Sequence, residues 1–567
     1  MSWRRALMAV TVVCAMVLSG CVGLPTDTDP QSLRSFEASS QVEEDLGPEE
    51  GQQPDLLLRD FYRASASPTA NHSQARAYLT PPAAERWDSG TSTLIVDRLD
   101  ITTQAGATSQ ERTFDIRGNV IGTLRDGGSY IPENGAYEAT VEMELVDGEW
   151  RVSSLPSGVV MERTDLRNNY EPHNLYFFDT TERVLVADRR WVFAGEKRLD
   201  TVLISMLMQG PSERVAPAVS TVPPSQAEFI GASEGVYRFS GLEEADAQSR
   251  GQFAAQLTWT LAMANVPTPY TYEAGGMPLI ESRPQVVPDD FAELNPRVGM
   301  TAATPLYALT DGRIYEISSN QATPVDGPLG TAGNLESADL TAEGTAAAVR
   351  EDGETSTLVI TAGEGSVEEV LTANTISRPS FEFDPNAAWV VLNGEDVVRV
   401  VRSEPTDEVA QLPVDTSSLE DLEGEVSMLR LSRSGSYAAM LIDGRVYVGV
   451  VSRPSAGSRA IVNVQEIAAE LSGTALAVDW QPDGSLLVGT SALETPVWRV
   501  EQDGSSVSAL SSANITAPVV SVSASPNTMY ATDARAALQL PTGGSENVIW
   551  REVPGLQGVR SVAIVAN

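Results

Sequence analysis

Apolar and polar positions change rhythm along the chain, and each change marks a new kind of segment. From Ala6 to Val17 almost every residue is apolar, after a start that carries Arg4 and Arg5. The run is shorter than the roughly 20 residues that span a bilayer, and with its basic start it predicts a secretory signal peptide over 1–20. Residues 21–53 reverse the balance. They are polar and acidic, with Pro25, Pro30 and Pro48 among them, and bury too little apolar surface to offset the entropy of ordering. They predict a flexible tether with a reach on the order of 30 Å.

A helical period begins at Pro54, a residue suited to a first turn. Leu57, Leu58, Phe61 and Tyr62 form one apolar face, and shorter helical patches follow at 74–79 and 83–87, interrupted by Pro81 and Pro82. Past Gly90 the period drops to two: Leu94 and Val96, Phe114 and Ile116, then Val120, Val141, Met143 and Leu145. Asp147-Gly148 is a hairpin signal, and Asp115, Glu142 and Glu144 alternate with the apolar set toward solvent. Helices followed by a curved antiparallel sheet, over 54–165, resemble the cone-shaped fold of nuclear-transport-factor relatives.

Residues 174–282 predict an α/β module. Leu175 to Phe178 and Val184 to Val186 are strands; Leu199, Val202, Leu203, Met206 and Leu207 share a helical face that stops at Gly210-Pro211. A strand over 235–240 precedes a helix with Phe253, Leu257 and Leu261 four apart, and Tyr270 to Glu273 leads through Gly275-Gly276 to Leu279-Ile280. The stretches LYFFD, LISMLMQGPSE and LTWTLAMANVP resemble the GerMN module of cell-envelope proteins, to which no enzymatic activity is attached.

From 295 to 567 a strand–turn–strand pattern recurs. It reads ADLTAEGTAAAV, FEFDPNAAWVVL, LRLSRSGSYAAML, VDWQPDGSLLVG and VSASPNTMYATD, with anchors at Leu340, Phe383, Leu431, Trp480 and Ser523. Anchors about 43–49 residues apart match the period of a four-stranded propeller blade. WQPDG resembles a TolB-type turn, with Asp483-Gly484 supplying the positive φ of a tight reversal. Thr304 to Ile317 has two blade strands and no inner strand, while Val559 to Val565 is an inner strand with nothing after it. The last strand is therefore expected to close the first blade, giving six blades without free edges. The fold class is multidomain: a cone-like α+β domain, an α/β GerMN domain and an all-β propeller.

Charge and chemistry narrow the function. The 567 residues carry a net charge of -39, which repels phosphate backbones, so no nucleic-acid partner is expected. Anionic lipid is likewise disfavoured, and membrane contact must come from an anchor. The cysteines are Cys14, inside the apolar run, and Cys21; the histidines, His72 and His173, are read as surface or turn residues; Lys197 is the sole lysine. No metal spacing, calcium loop or phosphate-binding glycine loop is present, and the sialidase-type Asp-box is absent. Catalytic, metal and cofactor residues are thus expected to be none.

One motif carries definite chemistry. Leu18-Ser19-Gly20-Cys21 resembles the bacterial lipobox, in which the cysteine takes an S-diacylglyceryl group and becomes an acylated mature N-terminus. Lipobox, acidic tether, α+β domain, GerMN module and propeller, in that order over essentially the whole chain, resemble the actinobacterial LpqB lipoprotein family. The resemblance implies lipidation at Cys21 and a place on the extracytoplasmic face of the cell membrane. It also implies a binding role beside the MtrA–MtrB two-component system, with the sensor region of the histidine kinase MtrB as partner. The alternative is a protein that binds or cleaves cell-wall glycan at the propeller mouth.

Overall fold

Helix α1 (Pro54–Ser65) begins at the expected proline and buries Leu57, Leu58, Phe61 and Tyr62. The computed structural model describes residues 47–106, 108–220, 226–297, 304–361, 366–403, 406, 408–542 and 549–566. The expected signal peptide, the lipobox-like motif and the expected tether as far as residue 46 lie outside the described residues. At the near end Gly51 N donates to Glu149 Oε2 at 2.9 Å, so the chain is held against the first module before Pro54.

After α1 come α2 (Thr69–Arg76) and α3 (Pro81–Arg86). Pro81 and Pro82 begin a helix rather than interrupt one. Their missing N–H groups cost nothing in a first turn, and Thr80 Oγ1 accepts from Ala83 N at 3.4 Å. Tyr78 and Leu79 lie beyond α2, where Leu79 bridges Val152 instead of extending the helix. The sheet comprises β1 (Thr93–Val96), β2 (Asp100–Thr103), β3 (Glu111–Leu124), β4 (Tyr130–Val146), β5 (Glu149–Ser154) and β6 (Val159–Glu162). Its order is β5-β4-β3-β1-β6, with β2 also on β3 and only β1 and β6 parallel. Helix α1 packs on β5 and β6. Asp147 and Gly148 turn β4 into β5 at φ 52° and 88°.

Helix α4 (Arg163–Asn169) leads into the second module, where β7 (Tyr170–Phe178) pairs with β8 (Leu185–Phe193). Helix α5 (Leu199–Gln209) stops at Gly210, whose φ of 92° ends the helix as anticipated. Lys197 is exposed in the turn before α5. Then follow β9 (Glu228–Ser233), β10 (Val236–Ser240), α6 (Ala247–Met263), β11 (Thr271–Ala274) and β12 (Met277–Pro278), in sheet order β12-β11-β10-β9. Parallel β10 and β11 are joined through α6. Every residue of α6 from Phe253 to Leu261 is buried, so this helix is core on all sides. Its polar residues serve the neighbouring strand: Thr260 Oγ1 accepts from Tyr176 N and Gln256 Nε2 donates to Tyr176 O, each at 3.2 Å.

The third module contains, among the described residues, six four-stranded antiparallel sheets. Their first strands are Leu335–Leu340, Ser380–Phe381, Val426–Leu431, Ala475–Trp480 and Ser521–Ser525, with Val562–Val565 taking that place beside Leu306–Thr310. Each first strand touches the next, and Ser521–Ser525 touches Val562–Val565, which touches Leu335–Leu340; the ring is closed by the chain's last strand. One anchor differs from expectation. Phe383 is 43% exposed, and Phe381 fills the buried position, because the strand is short and Glu382 turns inward between them.

Candidate functional site

Charged residues from three sheets and from the segment that leads into a fourth meet inside the ring. Arg430 is 1% exposed and donates through Nε to Asp479 Oδ1 at 3.1 Å, through Nη2 to Asp339 Oδ1 at 3.1 Å and through Nη1 to Pro379 O at 2.6 Å. Arg378 Nη2 reaches Asp339 Oδ1 at 3.4 Å and its Nη1 lies 3.9 Å from Asp479 Oδ2. Two cations and two carboxylates therefore balance. Burial pulls the Arg378 guanidinium down, with Arg430 adding repulsion; for Arg430 burial is outweighed by the two carboxylates, which hold it above the usual range. A glycosidase needs an acid that holds a proton and a carboxylate open to substrate. Buried aspartates tied to guanidinium groups are closed to substrate, and the quartet works as a fastener between sheets.

Three of its residues occupy one register of the repeat, and Glu382 stands there in the repeat between them. Asp339, Glu382, Arg430 and Asp479 each stand immediately before an anchor: Leu340, Phe383, Leu431 and Trp480. Charge at that position, inside otherwise apolar strands, is the signal by which sequence could have found them. Glu382 is the variation. Its Oε1 accepts from Trp389 Nε1 at 2.8 Å and Arg399 Nε at 2.6 Å, with Arg459 Nε 3.6 Å away.

The GerMN-like module sits on the turns at one face of this ring. Tyr437 Oη donates to Ala187 O at 2.7 Å, Trp191 Nε1 to Asp503 Oδ2 at 3.1 Å, and Asn463 Nδ2 to Arg214 O at 2.8 Å. Arg189 lies 3.2 Å from Glu501 and 3.3 Å from Asp503, and Arg453 pairs with Asp179. Beneath these contacts one buried apolar cluster runs from Leu175, Phe178 and Leu257 into Tyr437, Val448 and Leu471. The first module joins in: Arg163 faces Glu470 at 3.6 Å, Arg167 Nη2 donates to Ser506 Oγ at 2.7 Å, and Arg190 Nη1 to Gly127 O at 2.7 Å. Gly128 is confined to glycine, since a Cβ there would come within 2.3 Å of Trp191 O.

Two cavities remain at these seams. One, about 170 Å³, lies between β7 and β8 and the ring's turns, with Tyr176, Leu185, Arg433, Trp480 and Asp483 on its walls. Asp483-Gly484 forms the expected tight turn, Gly484 at φ 88° and Asp483 Oδ1 accepting from Ser485 N at 3.0 Å. The other, about 380 Å³, opens where all three modules meet.

The remaining candidates are placed as follows. Leu18, Ser19, Gly20 and Cys21 lie outside the described residues. His72 is in α2 and half-buried, not a surface residue: its Nδ1 is 2.9 Å from Ser65 O, its ring packs edge-on against Trp87, and burial lowers its pKa. His173 is in β7, 3.8 Å from Glu171, and burial likewise lowers it. Among the described residues no group of three or more His, Cys, Asp or Glu could hold a metal, and no helix is long and apolar enough to cross a membrane.

Comparison with known proteins accounts for all three modules. Residues 47–167 match the family described as the lipoprotein LpqB N-terminal domain, 174–279 the sporulation and spore germination family, and 312–563 the lipoprotein LpqB beta-propeller domain. Lipoprotein LpqB of Corynebacterium diphtheriae is 43% identical over 99% of each chain. The chain belongs to the LpqB lipoprotein family. LpqB of Rhodococcus opacus is 36% identical over 99% of this chain and 98% of its own. Among solved structures, virginiamycin B lyase from Staphylococcus aureus covers 43% of this chain and 78% of its own at 12% identity, with a TM-score of 0.30, a likeness too slight to argue from. The LpqB propeller is therefore the six-sheet region described above, and its relatives carry lipoprotein names rather than enzyme names.

Proposed function

We propose that this LpqB-family chain is a lipid-anchored extracytoplasmic binding protein, an accessory of the MtrA–MtrB two-component system in cell-envelope homeostasis and division. The carrying observation is the interlocking of three modules into one unit whose buried ion pairs are spent on fastening. Such a unit is built to present a surface. Full-length similarity to lipoproteins, together with Leu18-Ser19-Gly20-Cys21, supports removal of a signal peptide, S-diacylglyceryl and N-acyl (palmitate-type) modification of Cys21, and attachment at the outer face of the cell membrane. The six sheets read as the blades of a six-bladed propeller, and the helices and sheet of the first module as a cone-like fold.

The expected partner is the sensor region of an MtrB-like histidine kinase. Binding of the detergent-solubilised full chain to that region should be saturable, and kinase output should change in a deletion strain; no binding with unchanged output overturns the proposal. Cys21→Ser should leave an unprocessed precursor that takes up no labelled lipid. The glycan reading draws no support from the ring, whose interior holds the Arg430 quartet and whose one face carries the GerMN-like module.

A further inference from the structure

The larger seam cavity is lined by a guanidinium, that of Arg214, with two unpartnered nitrogens. Arg214 follows α5 in the turn that begins at Gly210-Pro211, and its carbonyl is anchored to the propeller by Asn463. Its Nε and Nη2 are buried without a hydrogen-bond partner. The side chain is half-buried, and buried N–H groups left without partners in a native fold call for an explanation.

The nearby carboxylates do not supply one. Asp188 accepts from Arg190 Nη2 and Ser212 N through Oδ2, each at 2.7 Å, and from Ser212 Oγ through Oδ1 at 2.9 Å. Asp503 accepts from Ser505 N and Oγ through Oδ1, at 3.1 and 2.6 Å, and from Trp191 Nε1 through Oδ2, beside Arg189. Asp188 is thus taken up within the second module, and Asp503 within the propeller and at its seam with the second module. They attract Arg214 from a distance, yet burial dominates and pulls it below the usual arginine range.

The space is suitable for an occupant. About 380 Å³ lies toward the small end of ligand pockets, which run from about 300 to 1,000 Å³. Its walls come from the first module (Arg125, Tyr130), the second (Arg190, Arg214) and the propeller (Tyr437, Asp503), and Arg125 is exposed at the edge. A guanidinium with free N–H groups matches the paired oxygens of a carboxylate or phosphate better than any neutral group. We propose that this three-module cavity binds a small oxyanion, a carboxylate or a phosphate monoester, with Arg214 pairing its anionic group and Arg125 at the entrance. Because each module supplies a wall, an occupant favours the docked arrangement by its binding free energy. The site is independent of the kinase reading.

The experiment is titration of the detergent-solubilised full chain with inorganic phosphate and with acetate, at constant ionic strength, read by calorimetry and by melting temperature. Saturable binding of either anion with a rise in melting temperature is expected; phosphate alone points to a phosphate monoester, acetate alone to a carboxylate. Arg214→Gln should weaken binding by about tenfold or more, the loss of one charge-assisted pairing. Arg125→Gln, an exposed change that leaves folding intact, should weaken it severalfold, while Arg445→Gln, paired with Glu466 away from the cavity, should not alter it. No saturable response to either anion overturns the proposal, as does undiminished affinity in both the Arg214 and Arg125 variants.

Discussion

Arg430 shows what one residue can hold together. Its three donor nitrogens reach three other segments of the ring, two through carboxylates and one through the Pro379 carbonyl. Arg430→Met should therefore cost about 3–5 kcal/mol, the usual result of stranding buried partners, and appear as a large fall in the melting midpoint. Glu382 gives the complementary pH effect. Burial alone would raise its pKa, but Arg399, the Trp389 indole N–H and Arg459 outweigh that and hold it below 4.5. A carboxyl lowered in the folded state contributes stability that is complete above its unfolded pKa and lost as pH falls through the folded one. Acid should thus weaken the wild type below about pH 4.5. Glu382→Gln should lower the melting temperature at pH 7 and lose less on acidification; parallel pH–melting curves for the two proteins would refute this.

At the scale of elements, polar residues in α6 are as structural as its apolar ones. Thr260→Val keeps the shape but leaves Tyr176 N–H unpaired in the core, so a loss of about 1–3 kcal/mol is expected in denaturant melts. The periodic elements were legible because burial imposes a period: α1 shows it at Leu57, Leu58, Phe61 and Tyr62, and the blade strands through their recurring anchors. Sequence and structure part where local chemistry admits two outcomes. A proline pair both ends and begins helices, and only the Thr80 cap shows that Pro81 begins one. Phe381 and Phe383 alternate with Glu382, and strand length decides which is buried. The seams were not legible at all. Tyr437 and Ala187 are 250 residues apart, Trp191 and Asp503 are 312 apart, and no local pattern encodes such pairings.

The whole molecule combines tight docking with strong self-repulsion. Since one apolar cluster crosses from the second module into the propeller, the two should unfold in a single calorimetric transition. Trp191→Ala, which removes the indole bond to Asp503, should split it into two. A wild type that already melts in separate steps would mean the seam is weak. The net charge of -39 works against compaction. Raising ionic strength from about 0.01 to 0.15 M shortens the screening length from about 30 to 8 Å, so the melting temperature should rise with salt.

Lys197 stands alone and exposed on the second module. With the α-amine of Cys21 acylated, as proposed, its side chain would be the sole primary amine of the mature protein. An amine-reactive dye would then attach at a single known address, which makes the native protein a ready distance reporter without engineered labels. The same arithmetic explains in advance a negative result: a lysine-directed cross-linker would capture a partner only where that partner passes within reach of the turn before α5.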